Sequence, residues 1–182
     1  MTTSAKIITA FLQLLQQGDY SKISINQITS RVGITRTYFY QLFDNKDSLA
    51  QAALFEIVQQ ILNAFTTSFD KANKSRLNYR SIVKGISLIR ERQGELQALL
   101  SVNQASLNLN ADFQRQLAVT VTTALSHHFP RTTQMDYAVH VFIAATMETI
   151  NWTISHPDVP VAQIVKMVDN FTGNGMLAVL RD

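Results

Sequence analysis

Cysteine is absent from the 182 residues, which excludes a disulfide framework, a thiolate metal site and a cysteine nucleophile. Glycine (six) and proline (three) are scarce, so little interrupts the backbone and long helices can form. Stretches that alternate apolar and polar residues are almost missing, and with them the signal for strands. The expectation is an all-α chain. Charged residues reach only 16%, below the roughly one quarter of an ordinary soluble domain. Low surface charge leaves room for exposed apolar surface and favours self-association. Apolar residues make up 46%, which rules out general disorder. No run approaches the ~18 consecutive apolar residues of a membrane span. The N-terminal MTTSAKIITAFLQLLQQGDY reads as an amphipathic helix and not as a signal peptide, so the cytoplasm is the default location. A glycine-rich phosphate loop is missing too. His127 and His128 are adjacent, so on a helix they point about 100° apart and cannot easily share one ion. Neither they nor His140 and His156 have metal-ligand spacing. An enzyme, a cofactor and a metal centre are therefore not expected.

The pattern that is present is helical from end to end. A first helix, capped by Thr3 or Ser4, runs to about Gln17 with Ile7, Ile8, Phe11, Leu14 and Leu15 on one stripe. Gly18-Asp19-Tyr20 breaks it. Helices near 24–32 and 35–42 follow, with Ile23, Ile25, Ile28, Val32, Ile34, Phe39 and Phe43 as their core. Asn45 caps a long fourth helix, from Lys46 to about Phe69. Its apolar positions Leu49, Ala53, Phe55, Ile57, Val58, Ile61, Leu62, Phe65 and Phe69 exceed one stripe, so more than one side is covered. A basic, polar stretch from Asp70 to Arg80 carries Lys71, Lys74 and Arg76 and reads as a solvated surface. Five more helices are expected at about 77–92, 95–103, 112–129, 135–155 and 161–180, with a turn over Ser106–Asn110. The count is about nine. Pro130 and the His156–Pro160 segment supply two of the stops.

Positive charge is concentrated at the N-terminus. Residues 1–50 hold five basic and three acidic side chains, and the other 132 hold eleven and ten. A nucleic-acid-facing domain needs such a bias. The segment Ile23 to Leu49 explains it. Ser24 and Gln27 have capping-box spacing, Gly33 ends the helix they open, and Thr35 can cap the next. This is a helix-turn-helix. Its second helix carries Arg36, Thr37, Tyr38 and Tyr40 outward, while Phe39, Leu42 and Phe43 can face a core. Arg36 can fork onto guanine O6 and N7, the commonest specific base contact. Thr37 and Tyr38 adjoin it and can reach bases, a thymine methyl or sugar. Thr35 can donate to a phosphate while capping, and Tyr40 follows Phe39 by about 100° of rotation, away from the core.

Gly33-Ile34-Thr35-Arg36, Phe39-Tyr40, Phe43, Lys46 and Leu49, in this spacing, resemble the signature of the TetR family of bacterial transcription regulators. The resemblance covers most of the first 50 residues. It implies that Tyr40 and Lys46 bind DNA phosphates, Lys46 from the positive end of the fourth helix. With Ser24, Thr35, Arg36, Thr37 and Tyr38 they make the candidate DNA-binding set. Thr37 and Tyr38 stand where the family often has Gly and Thr, and Gln41 replaces a frequent basic or aromatic residue, so a different base preference is implied. The remainder matches in length and helical character, as that family's ligand-binding half would.

The resemblance further implies two parts, a DNA-binding domain at 1–45 and a regulatory ligand-binding and dimerisation domain at 46–182. An apolar effector cavity would lie among the middle helices, with Phe55, Ile82, Ile86, Leu100, Phe113, Leu117, Phe142 and Met147 as candidate lining; each alone is as readily core. His140, Glu148 and Asn151 on the apolar penultimate helix can pair across an interface, orient a ligand or face water. A homodimer through the last two helices would bury their surplus apolar face and let two recognition helices read half-sites about 34 Å or a multiple apart. The function expected is a repressor released from a palindromic double-stranded operator by a small apolar or amphipathic ligand. The alternative is a TetR-like co-regulator that acts through protein partners with weak or lost DNA binding.

Overall fold

A computed structural model describes residues 2–66, 79–127, 129–173 and 175. Among these, the chain is all-α, with nine α-helices and one two-residue strand pair. The helices are α1 (Thr3–Gln17), α2 (Ile25–Val32), α3 (Arg36–Leu42), α4 (Lys46–Thr66), α5 (Tyr79–Glu91), α6 (Gln93–Leu100), α7 (Leu109–Ser126), α8 (Thr133–Ser155) and α9 (Val161–Val168). The expectations placed on the side chains of Leu62 and Phe65, and on Phe69, Lys71, Lys74 and Arg76, lie outside the described residues, as does the end of the last helix expected to reach residue 180.

The chain forms two compact units. One joins Met1–Ile57 with Gln93–Phe113, and the other joins Val58–Arg92 with Gln114–Asp182. In the first, α1 packs against both α2 and α6. Two partners widen its buried arc, so Leu12 is buried together with Ile7, Ile8, Phe11 and Leu15, and Leu14 is only half-buried. The first cap is Thr2, whose Oγ1 accepts from Ala5 N at 3.3 Å. Asn45 opens α4 as expected: its Oδ1 accepts from Ser48 N at 2.8 Å, and Ser48 Oγ accepts from Asn45 N at 3.2 Å. In α4 the buried residues Leu49, Ala50, Ala53, Leu54, Ile57, Val58 and Ile61 form the broad apolar arc anticipated.

The expected turn over Ser106–Asn110 is instead a tight antiparallel hairpin, β1 (Asn103–Gln104) on β2 (Leu107–Asn108). The helix after it starts earlier than expected, at Leu109. Asn108 Oδ1 accepts from Ala111 N at 2.9 Å, a cap that lets α7 begin there. Buried Leu107 and Leu109 anchor the junction.

In the second unit α5 packs on α8 and α9 through Ile82, Ile86 and Ile89, all buried. Arg90 of α5 donates from Nη1 to His156 O (3.1 Å) and from Nη2 to Val159 O (2.9 Å), holding the turn between α8 and α9. The two prolines in that turn leave few internal hydrogen bonds, and the guanidinium supplies the missing donors. The last helix, expected over 161–180, is α-helical over Val161–Val168 and continues into a π-helical turn at Asp169–Gly173.

Candidate nucleic-acid interface

The helix-turn-helix is assembled from local hydrogen bonds. Ser24 Oγ accepts from Gln27 N (3.2 Å), while Gln27 Oε1 accepts from Ser24 N (2.8 Å) and Ser24 Oγ (2.9 Å). The capping box is complete, and the Ser24 hydroxyl is committed to it. At the other end of α2, Gly33 has φ 75° and ψ 36°, a left-handed conformation that side chains with a Cβ resist. Both Gly33 N (2.9 Å) and Ile34 N (3.1 Å) donate to Thr29 O, which closes the turn. Thr35 Oγ1 then accepts from Tyr38 N at 3.2 Å and opens α3, leaving its own O–H free to donate.

One side chain of α3 is buried. Phe39 is fully enclosed, with the Phe43 ring 5.7 Å away and the Tyr40 ring edge-on at 5.5 Å. Arg36, Thr37, Tyr38, Tyr40 and Gln41 are exposed together, so the outward set expected from the sequence shares one surface. The edge contact with Phe39 restrains the Tyr40 ring while leaving it 47% exposed. Leu42, expected inward, is 40% exposed instead: α3 is only seven residues long and Phe39 with Phe43 already fills the space behind it. Ile25, Val32 and Ile34, expected in the core, are half-buried at its rim.

Lys46 occupies an unexpected environment. Its Nζ donates to Tyr20 O (2.6 Å) and Ile23 O (2.8 Å) and lies 4.1 Å from the centre of the Tyr20 ring. Two of its three donors tie the 3₁₀ turn Tyr20–Lys22 to the start of α4, and one donor is left for a phosphate. Burial lowers the ammonium pKa, and the neighbouring Asp47 carboxylate opposes that shift.

Sequence reasoning missed the group around Asp47. The Tyr20 hydroxyl donates to Asp47 Oδ1, and Ser106 Oγ donates to Asp47 Oδ2 at 3.0 Å. In the sequence Tyr20 reads only as part of a helix break. No local pattern links it to a partner 27 residues on or to Ser106 59 residues beyond that. Burial, then the hydrogen bond to Asp47 and its charge, push the Tyr20 phenol well above the ordinary tyrosine range. Its folded-state pKa thus exceeds the unfolded value of about 10, so its contribution to stability is complete below that pH and lost as pH rises past it. Urea unfolding between about pH 9 and 11 is therefore expected to show a falling midpoint that Tyr20→Phe flattens. The comparison with Phe cancels the opposite trend from Lys46. An equal slope in the two proteins would contradict the assignment.

The eight candidate effector residues divide between the two units. Ile82, Ile86, Phe113, Leu117, Phe142 and Met147 are buried, and Leu100 is half-buried. Phe55 is 47% exposed, because it lies about 200° around α4 from buried Ala53 and Ile57. A groove of about 260 Å³ lies on α8 and α9, lined by residues that include Glu148, Trp152, Ile164, Met167 and Phe171. None of the eight lines it. His140, Glu148 and Asn151 are all exposed on α8.

Comparison with known proteins agrees with this geometry. Residues 7–53 match the model of the family described as bacterial regulatory proteins, tetR family. No curated protein sequence matches the chain. Among solved structures, a TetR-family regulator from Syntrophomonas wolfei superimposes with TM-score 0.71 at 17% identity, covering 97% of this chain and 95% of that one. A TetR transcriptional regulator from Streptococcus agalactiae gives TM-score 0.64 at 18% identity, with 94% and 93% coverage. The dihydroxyacetone kinase operon activator DhaS gives 0.63 at 15%, with 98% and 96% coverage. The match over residues 7–53 and the likeness of fold make the chain similar to TetR-family bacterial regulatory proteins.

Proposed function

We propose that the protein is a ligand-responsive repressor. It binds a palindromic DNA operator in the cytoplasm as a homodimer and is released by a small apolar or amphipathic effector. The observation that carries the DNA-binding reading is the exposed surface of α3, where Arg36, Thr37, Tyr38 and Tyr40 stand together on a helix seated by Phe39. Arg36 and Tyr38 supply base contacts, Thr35 and Tyr40 phosphate contacts, and the third N–H of Lys46 a further one. Ser24 contributes by fixing the start of α2. Residues 1–45, with Lys46 at the boundary, are the DNA-contacting part in this reading and the rest of 46–182 the regulatory part.

The last two helices supply the dimer surface. Tyr137, Val141, Ala144, Glu148, Asn151 and Ser155 are exposed at alternating steps of four and three along α8, the spacing of a helix-pairing seam. Met167 of α9 and the 81% exposed Phe171 of the turn that follows it extend the surface. On this reading His140, Glu148 and Asn151 form polar contacts across the seam. The effector shifts the equilibrium only if it binds the DNA-free state more tightly, and a thermal-shift screen of small apolar compounds is the direct way to find it. The similar structure described as an operon activator makes the sign of regulation a separate measurement, read from a reporter with the gene deleted: higher expression supports repression and lower expression contradicts it.

The test is selection of a duplex from a random library by the full chain, followed by gel shift. Arg36→Ala is expected to weaken binding about 10-fold or more and to relax the base preference at its position. Undiminished affinity and preference would remove α3 from the interface. The involvement of Lys46 with two carbonyls favours the second reading, a co-regulator with weak DNA contact. Failure to enrich any duplex would select it.

A further inference from the structure

We propose that Tyr20, Asp47 and Ser106 form a relay that positions the recognition helix, passing the placement of the β1–β2 hairpin to the turn that precedes α2. The inference rests on the reading of α3 as the DNA-contacting helix and adds positioning residues outside it.

The Asp47 carboxylate has two oxygens, and each takes one hydroxyl. Tyr20 donates to Oδ1 from the turn after α1, and Ser106 donates to Oδ2 from the hairpin between α6 and α7. The Tyr20 ring is buried, edge-on to Phe11 at 6.2 Å, so phenylalanine would satisfy the packing and only the hydroxyl answers to Asp47. The adjacent residue, Lys46, grips the same turn by its backbone through the carbonyls of Tyr20 and Ile23. Side chain and main chain of the turn are thus referenced to one point, the first two residues of α4.

Ser24, the cap of α2, follows Ile23 directly. A displacement of the first turn of α4 is therefore delivered to the turn before α2, through Asp47 at Tyr20 and through Lys46 at Ile23, one residue from the cap. The hairpin is well placed to cause one. It lies between α6, which packs on α1, and the first turn of α7, where Asp112 Oδ2 accepts from Gln51 Nε2 of α4 at 3.2 Å. Ser106 is exposed and contributes no core packing. Its hydroxyl acts on Asp47, and a function in orientation accounts for it where packing does not.

The experiment uses the full chain and the duplex selected by the wild-type protein. Affinity and the slope of log Kd against log salt concentration are measured for Tyr20→Phe, Ser106→Ala, their double variant, Ser106→Thr and Arg36→Ala. The relay requires each single hydroxyl deletion to weaken binding about threefold to tenfold. The double variant should lose no more than the worse single one, because the two hydroxyls act through one carboxylate. The salt slope stays unchanged because no phosphate contact is removed, and Ser106→Thr, which keeps the hydroxyl, restores affinity. Wild-type affinity in either single variant, fully multiplicative losses, or a slope reduced by about one unit would each overturn the relay. If Arg36→Ala binds undiminished, the reading of α3 fails. If Arg36→Ala is impaired and the hydroxyl deletions are not, the relay alone fails.

Discussion

Phe39→Ala should destabilise the N-terminal unit by about 3–5 kcal/mol and abolish the proposed operator binding although the Phe39 side chain is buried. Phe39 is the one buried side chain of α3 among its seven residues. A helix of this length is marginal without tertiary contacts, so α3 is held in place by what Phe39 packs against. The rings of Phe43 and Tyr40 lean on it, and its removal releases both the hinge to α4 and a proposed phosphate contact. A loss of that size is a large share of the roughly 5–15 kcal/mol that stabilises an ordinary domain. Urea unfolding followed by circular dichroism, with gel shift on the same samples, measures both effects. Leu42→Ala, three residues away and 40% exposed, is the control, with a change of about 0.5 kcal/mol or less. Comparable losses in the two variants would mean that α3 is seated differently.

The second large effect concerns the exposed seam. Val141→Lys combined with Phe171→Lys should convert a dimer into a monomer and weaken operator binding about 100-fold or more, the avidity lost when one half-site is read alone. Val141 is the second of the six exposed positions along α8, and Phe171 is the most exposed of the large apolar side chains described. Lysine at either position would be desolvated in a helix-paired interface without a partner, a strongly unfavourable placement. Neither residue is buried in the single chain, so folding should be unaffected. Light scattering at micromolar concentration supplies the mass and thermal unfolding the control. A dimeric double variant, or a monomeric wild-type protein, would move the interface off these helices.

Helix positions and the helix-turn-helix were readable because their causes are local. The Ser24–Gln27 capping box, the left-handed Gly33, the Thr35 and Asn45 caps and the apolar periodicities all act over two to four residues, and a linear reading captures such distances. Phe39 inward and Tyr40 outward followed from helical rotation alone. The errors have one cause. Leu42, Leu14 and Phe55 were assigned from apolar character, but burial depends on which neighbour arrives. Leu42 and Phe55 stay 40% and 47% exposed, whereas α6 joins α2 against α1 and draws Leu12 in ahead of Leu14. The hairpin was read as a turn, since two-residue strands have no periodicity to detect.

The amino-acid order was sufficient for the fold class, for the exposed side chains of α3 and for the helix-turn-helix pattern of the N-terminal part, because capping, glycine conformation and helical rotation operate within a turn or two. The placement of Lys46 against two carbonyls, the clustering of residues 93–113 with the N-terminal unit, and the joining of Tyr20, Asp47 and Ser106 emerged from the three-dimensional packing. Those contacts close long loops, and hydrogen bonds between single polar side chains so far apart leave no periodic trace along the chain.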